Sequence, residues 1–87
     1  MSTSPKVLMY SSDFCPFCHK AMRLLSSKGI EPEVRSVDGN AAIHAEMISR
    51  SGRHTVPQIF IGEEHVGGCD DLHALERQNR LNAILNP

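Results

Sequence analysis

Cys15 and Cys18, separated only by Pro16 and Phe17, fall where an apolar run of strand length gives way to a helical pattern. The run is Lys6-Val7-Leu8-Met9-Tyr10; behind the second cysteine, Ala21, Met22, Leu24 and Leu25 recur at helical spacing. A dithiol at such a junction reads as a redox pair. Cys15 then starts a helix, where free backbone N–H groups and the dipole favour an anion, here the reactive thiolate. Pro16 suits the first helical position, because its φ is already helical and its missing N–H costs nothing there. Positions i and i+3 share a helix face, so Cys18 lies within disulfide reach, one turn in and less exposed than the nucleophile. Two other readings fit the spacing, a zinc half-site or two core thiols. Zinc needs a second ligand pair, and Cys69 with His19 or His65 shows no paired spacing.

A chain of 87 residues has room for one domain, residues 1–87, with one core. Its 40% hydrophobic and 22% charged residues are ordinary for a globular protein, which argues against disorder. A net charge of −1 gives no electrostatic footprint for nucleic acid or an anionic membrane. Three cysteines are too few, and odd in number, for a disulfide-stapled secreted framework. Met1-Ser2-Thr3-Ser4-Pro5 lacks the apolar stretch of a signal peptide, and no run reaches transmembrane length. A reducing compartment, the cytoplasm, is the expectation.

The rest of the chain alternates strand and helix patterns. Ser11 to Phe14 form the loop into the dithiol, and the first helix runs from about Cys15 to Ser27, stopping at Lys28-Gly29. Glu33 to Val37 alternates polar and apolar as a half-exposed strand does. Asp38-Gly39-Asn40 is a turn, and a second helix covers Ala41 to Ser51, with Ile43, Met47 and Ile48 on one side and Gly52 ending it. Gln58 to Ile61 and His65-Val66 form a hairpin across Gly62-Glu63-Glu64. A last helical region, capped by Asp70 or Asp71 and broken near Gln78-Asn79, carries Leu72, Leu75, Leu81, Ile84 and Leu85. The layout is α/β: a four-stranded mixed sheet, its first two strands parallel through a right-handed crossover, flanked by helices on both faces.

Two further stretches bear on function. In Thr55-Val56-Pro57, a cis proline would leave the Val56 N–H and C=O free to pair with an extended peptide; a trans proline would merely start an edge strand. Gly67-Gly68-Cys69-Asp70-Asp71 leads flexible backbone into a helix N-terminus, whose amides hold a carboxylate while a neighbouring Asp holds an amino group. The plainer reading is N-capping by Asp70, worth about 1 kcal/mol. Both hold together if Asp70 caps and Asp71 binds.

In family order and spacing, Cys15-Pro16-Phe17-Cys18, Thr55 to Ile61 and Gly67 to Leu72 resemble the glutaredoxins, small thioredoxin-fold proteins, over almost the whole chain from Val7 to about Leu85. The last motif separates them from thioredoxins, which also usually carry a tryptophan before the dithiol. The resemblance implies a glutathione-dependent thiol–disulfide oxidoreductase acting on glutathione mixed disulfides and protein disulfides. Cys15 would be the nucleophile and Cys18 the resolving thiol. Glutathione would be a co-substrate, with no metal and a monomeric state expected. It would pair with the Val56 backbone beside Pro57, between Phe17 and Thr55, and its γ-glutamyl end would meet Gly68, Cys69, Asp70 and Asp71. Phe17 stands where tyrosine is usual, so any hydrogen bond from that hydroxyl is lost. Ser12 stands where many members carry a lysine that attracts the glycine carboxylate and stabilises the thiolate. This departure implies weaker glutathione binding or a less acidic Cys15, with Lys20 and Arg53 favoured over Arg50 as substitutes.

The remaining candidates read as structural. Cys69 is a small packing residue, His19 a solvated helix residue, and His44, His54, His65 and His73 surface residues without metal spacing. The rival function is a carrier holding an iron–sulfur cluster between two subunits through Cys15 and glutathione, against which Pro16 argues because cluster-binding relatives more often have a smaller residue there. A dedicated electron donor to one reductase is a third possibility.

Overall fold

The structure is a computed structural model describing residues 5–86. The polar start Met1 to Ser4, and Pro87, lie outside the described residues. The elements are β1 (Val7–Ser11), α1 (Pro16–Ser27), β2 (Glu33–Ser36), α2 (Ala41–Ser51), β3 (Gln58–Ile61), β4 (Glu64–Gly67), α3 (Cys69–Arg77) and α4 (Leu81–Leu85). The strands form one mixed sheet in the order β2-β1-β3-β4. β1 runs parallel to β2, with Met9 opposite Val34, and antiparallel to β3, with Met9 opposite Ile59. β4 pairs antiparallel with β3 through a register irregularity between Ile59 and Phe60. This is the thioredoxin-like α/β arrangement.

Side-chain alternation splits the core in two, because successive strand residues face opposite sides of a sheet. Val7 and Met9 of β1, with Ile59 and Ile61 of β3, pack against Ala21 and Leu25 of α1, Leu72 of α3, and Leu81 and Leu85 of α4. Leu8, Tyr10 and Phe60 point the other way, onto Met47 of α2. Both faces of β1 are therefore covered, which is why it reads as a continuous apolar run. No described helix is long and apolar enough to cross a membrane.

Local chemistry sets the helix boundaries, and the start of α1 departs from the sequence reading. Cys15 is not helical but caps α1 with extended backbone (φ −124°, ψ 105°). Asn40 caps α2 by accepting the Ile43 N–H at 3.1 Å, and Gly52 ends it in the left-handed region at φ 72°. The expected break in the last helix is real: α3 and α4 are separated where Asn79 takes φ 56°.

Candidate active site

The end of β1 and the start of α1 hold the Cys15 sulfur between two backbone groups. Cys15 Sγ accepts the Cys18 N–H at 3.2 Å, and as a thiol it donates to the Val56 carbonyl at 3.8 Å. An amide donor and the positive end of a helix both favour negative charge on that sulfur. Cys15 is half-buried, whereas Cys18 is only 2% exposed. Burial pushes the Cys18 thiol up, and its hydrogen bonding with Cys15 pushes the same way. One sulfur faces solvent and its neighbour is held as a protonated reserve.

The loop before Cys15 is braced from β2. Because β1 and β2 are parallel, their C-terminal ends lie together, which brings Asp38 beside the loop. The Asp38 carboxylate accepts the Ser12 hydroxyl at 2.6 Å and the Asp13 N–H at 2.8 Å, and these bonds hold its pKa below the usual carboxylate value. On the other side, His19 Nε2 lies 2.9 Å from the Asp13 carbonyl, to which it donates when protonated there. His19 is therefore exposed but anchored.

A cavity of about 320 Å³ opens beside this junction, lined by Phe17, Arg53, Thr55, Val56, Pro57, Gly68, Cys69, Asp70 and Asp71. The Val56–Pro57 peptide is cis, and among the described residues nothing accepts the Val56 N–H. At the far end, α3 begins at Cys69 with Gly68 as its cap. Of the two candidate capping carboxylates, Asp70 is corrected, because the helix starts too early for it, and Asp71, at the third helical position, supplies the bond. Asp71 Oδ2 accepts the Gly68 N–H at 2.9 Å and the Arg53 guanidinium at 3.0 Å. These two partners, the Gly68 amide first, hold the Asp71 carboxyl below its ordinary range. Gly67 must be glycine: its φ is +116°, and a Cβ there would lie 2.3 Å from Asp71 Oδ2.

Of the sequence-nominated binding residues, the fold brings Phe17, Arg53, Thr55, Val56, Pro57, Gly68, Cys69, Asp70 and Asp71 together. Lys20, exposed on α1 three positions beyond Phe17, is not among the lining residues, although its charge reaches Cys69 at the cavity wall. Arg50 is also elsewhere, beneath α2, with its guanidinium 3.0 Å from the Tyr10 hydroxyl and 4.5 Å from the Phe60 ring centre. Cys69 is buried in the core, as a packing residue would be, and burial pushes its thiol up. His65 is not the surface residue expected. It stacks on Phe60 at 4.8 Å, its Nε2 lies 2.8 Å from Gln58 Oε1, and burial lowers its pKa. Asp38 was read only as a turn residue; its place after a strand parallel to β1 was the available signal. Among the described residues, no group of three or more His, Cys, Asp or Glu side chains is gathered to hold a metal ion.

A thioredoxin-like sheet with a half-buried cysteine capping the first helix and a second cysteine buried one turn later defines a thiol–disulfide oxidoreductase. The glutaredoxin family model matches residues 7–66. Glutaredoxin 3 of Escherichia coli strain K12 is 54% identical over 79 residues, covering 91% of this chain and 95% of that protein. The solution structure of glutaredoxin from Brucella melitensis superposes with a TM-score of 0.84 at 46% identity, covering 95% of this chain and 90% of that one. The buckwheat glutaredoxin–glutathione complex superposes equally well, with a TM-score of 0.84 at 28% identity, covering 93% and 76%. The chain belongs to the glutaredoxin family of disulfide oxidoreductases.

Proposed function

We propose that residues 1–87 act as a single, monomeric glutaredoxin domain in the reducing cytoplasm, using glutathione as co-substrate to reduce glutathione mixed disulfides and protein disulfides. The observation that carries this reading is the position of Cys15 Sγ, bonded to Val56 at the edge of a cavity whose other end is Asp71 and Arg53. The cavity suits a peptide with a carboxylate and an amino group, and a similar fold was solved as a complex with glutathione.

In this mechanism the Cys15 thiolate attacks the glutathione sulfur of a mixed disulfide. The S–S bond breaks, the substrate leaves as a thiolate and Cys15 carries glutathione. A second glutathione thiolate attacks the glutathione sulfur, releasing glutathione disulfide and restoring the Cys15 thiolate. Val56 pairs with the peptide backbone beside Pro57, with Thr55 and Phe17 on its flanks. Gly68, Cys69 and Asp70 present the start of α3 to the γ-glutamyl carboxylate, Asp71 takes the amino group, and Arg53, paired with Asp71, lines the same end of the cavity. With a protein disulfide, Cys15 first forms a mixed disulfide with the protein. Cys18 then attacks Cys15 Sγ, leaving a Cys15–Cys18 disulfide and freeing the protein thiolate.

The test is a glutathione-coupled assay on a small glutathione mixed disulfide. Activity should vanish in Cys15→Ser and persist in Cys18→Ser, while reduction of a protein disulfide should need both cysteines. A wild-type protein inactive in this assay would overturn the reading.

A further inference from the structure

The large apolar side chains left exposed among the described residues are Phe14, Phe17 and Val34, and two of them flank the nucleophile. Phe17 belongs to the cavity described above. Phe14 does not line it, yet is 97% exposed, immediately before Cys15 in the chain. Isolated exposed apolar residues are common on protein surfaces, but an aromatic ring offered almost whole to water beside a reactive sulfur is a costly placement.

The ring is also presented on a stiff mount. The residue before it, Asp13, is tied on both sides, its N–H to Asp38 at 2.8 Å and its carbonyl to His19 at 2.9 Å. Ser12 adds a second bond to Asp38 at 2.6 Å. These bonds fix the backbone beside Phe14, and a phenylalanine ring has only two side-chain torsions to fix on contact, which suits aromatic residues as interface anchors.

We propose that Phe14 is a specificity-determining residue for protein substrates, docking against the apolar surface that surrounds a protein disulfide while leaving small glutathione disulfides untouched. This rests on the oxidoreductase reading of Cys15. The chemistry brings a substrate to the chain neighbour of Phe14. Cys15 Sγ is only half-buried at a junction, and it must reach a substrate sulfur to form the new S–S bond and expel the second sulfur as a thiolate. A macromolecule that brings a sulfur to this point carries surface around it that can reach the exposed ring of the residue next to Cys15. A tripeptide lying in the cavity toward Asp71 need not reach it.

Two assays on Phe14→Ala and Phe14→Trp separate the possibilities. The first measures single-turnover reduction of a protein disulfide by dithiol-reduced enzyme, which requires no glutathione. The second measures kcat/KM on a small glutathione mixed disulfide. Phe14→Ala should lose about tenfold in the first assay, mainly through weaker substrate binding, and change less than about twofold in the second. Phe14→Trp should retain the protein activity. Equal losses in both assays, or no loss in the first, would overturn the proposal. Failure of the glutathione reading would appear separately, as a wild type active in the first assay and silent in the second.

Discussion

Arg53 and Asp71 join at one end of the cavity, guanidinium to carboxylate at 3.0 Å, and the oxygen that Arg53 holds is the one that also receives the Gly68 N–H. One carboxylate therefore serves the start of α3 and the rim of the binding site. Its side chain is 46% exposed, so the ion pair itself adds little stability, about 0–1 kcal/mol, and most of the structural effect comes from the capping bond.

Removing that carboxylate should affect both roles. Asp71→Ala should lower unfolding free energy by about 1 kcal/mol in urea titration at neutral pH. It should raise KM for glutathione about tenfold, the scale of one lost hydrogen bond to a charged group. The pH dependence has a definite sign. The native carboxyl titrates below its unfolded value, so its contribution is present above about pH 4 and is lost as pH falls through the depressed native value. The gap between wild type and Asp71→Ala should therefore narrow on acidification. A gap that widened would show that Asp71 is not stabilised in its ionised form.

Gly67 sets the position of the same group from the other side. Gly67→Ala places a methyl 2.3 Å from Asp71 Oδ2 and forces a side chain to adopt φ +116°. The expected cost is about 1–3 kcal/mol of stability from backbone strain, together with a higher KM for glutathione because the carboxylate must move. Adding the Asp71→Ala change should relieve the clash but not the strain, so the double variant should lose less than the sum of the two. Strict additivity in a double-mutant cycle would contradict the close approach.

What could be read from the chain alone followed its periodicities. The period-two and helical patterns gave the order of all the strands and the first two helices, and the dithiol, Val56-Pro57 and Gly67-Gly68 marked the three segments that meet at the cavity. The misses are contacts between residues far apart in sequence. Asp38 reaches Ser12 only because β1 and β2 are parallel, and His65 is half-buried only because the β3–β4 pairing stacks it on Phe60. Lys20 and Arg53 were equivalent as charges; only the folded chain shows that Arg53 lines the cavity while Lys20 acts on Cys69 from outside the lining. Asp70 and Asp71 differed by one helical position, which depended on where α3 begins.

The three cysteines should differ sharply in reactivity. Cys15 is half-buried at the site, while Cys18 and Cys69 are buried and burial pushes both thiols up. Iodoacetamide on the reduced protein near pH 7 should therefore modify Cys15 first, with Cys18 and Cys69 labelled quickly only after denaturation. Peptide mapping by mass spectrometry at successive times reads the order. Early labelling of Cys69 would contradict its place in the core.

On the opposite face, Tyr10 is fully buried in the apolar layer beneath α2, but its hydroxyl donates to Glu46, which Arg35 also pairs at 2.7 Å, and accepts from Arg50 at 3.0 Å. Burial raises the Tyr10 pKa, and the Glu46 hydrogen bond raises it further, while that bond holds the Glu46 carboxyl down. The shifts agree on a neutral phenol bonded to an ionised carboxylate. Tyr10→Phe keeps the ring and its edge contact with Phe60 at 6.0 Å but leaves Glu46 one donor short. It should cost roughly 1–2 kcal/mol in urea unfolding. Because α2 and this network lie across the sheet from α1 and α3, kcat/KM on the small glutathione disulfide should stay within about twofold of wild type, as expected for separated sites. A stability loss accompanied by a comparable loss of activity would mean that α2 positions the dithiol, through Asp38 or Arg53 at its two ends.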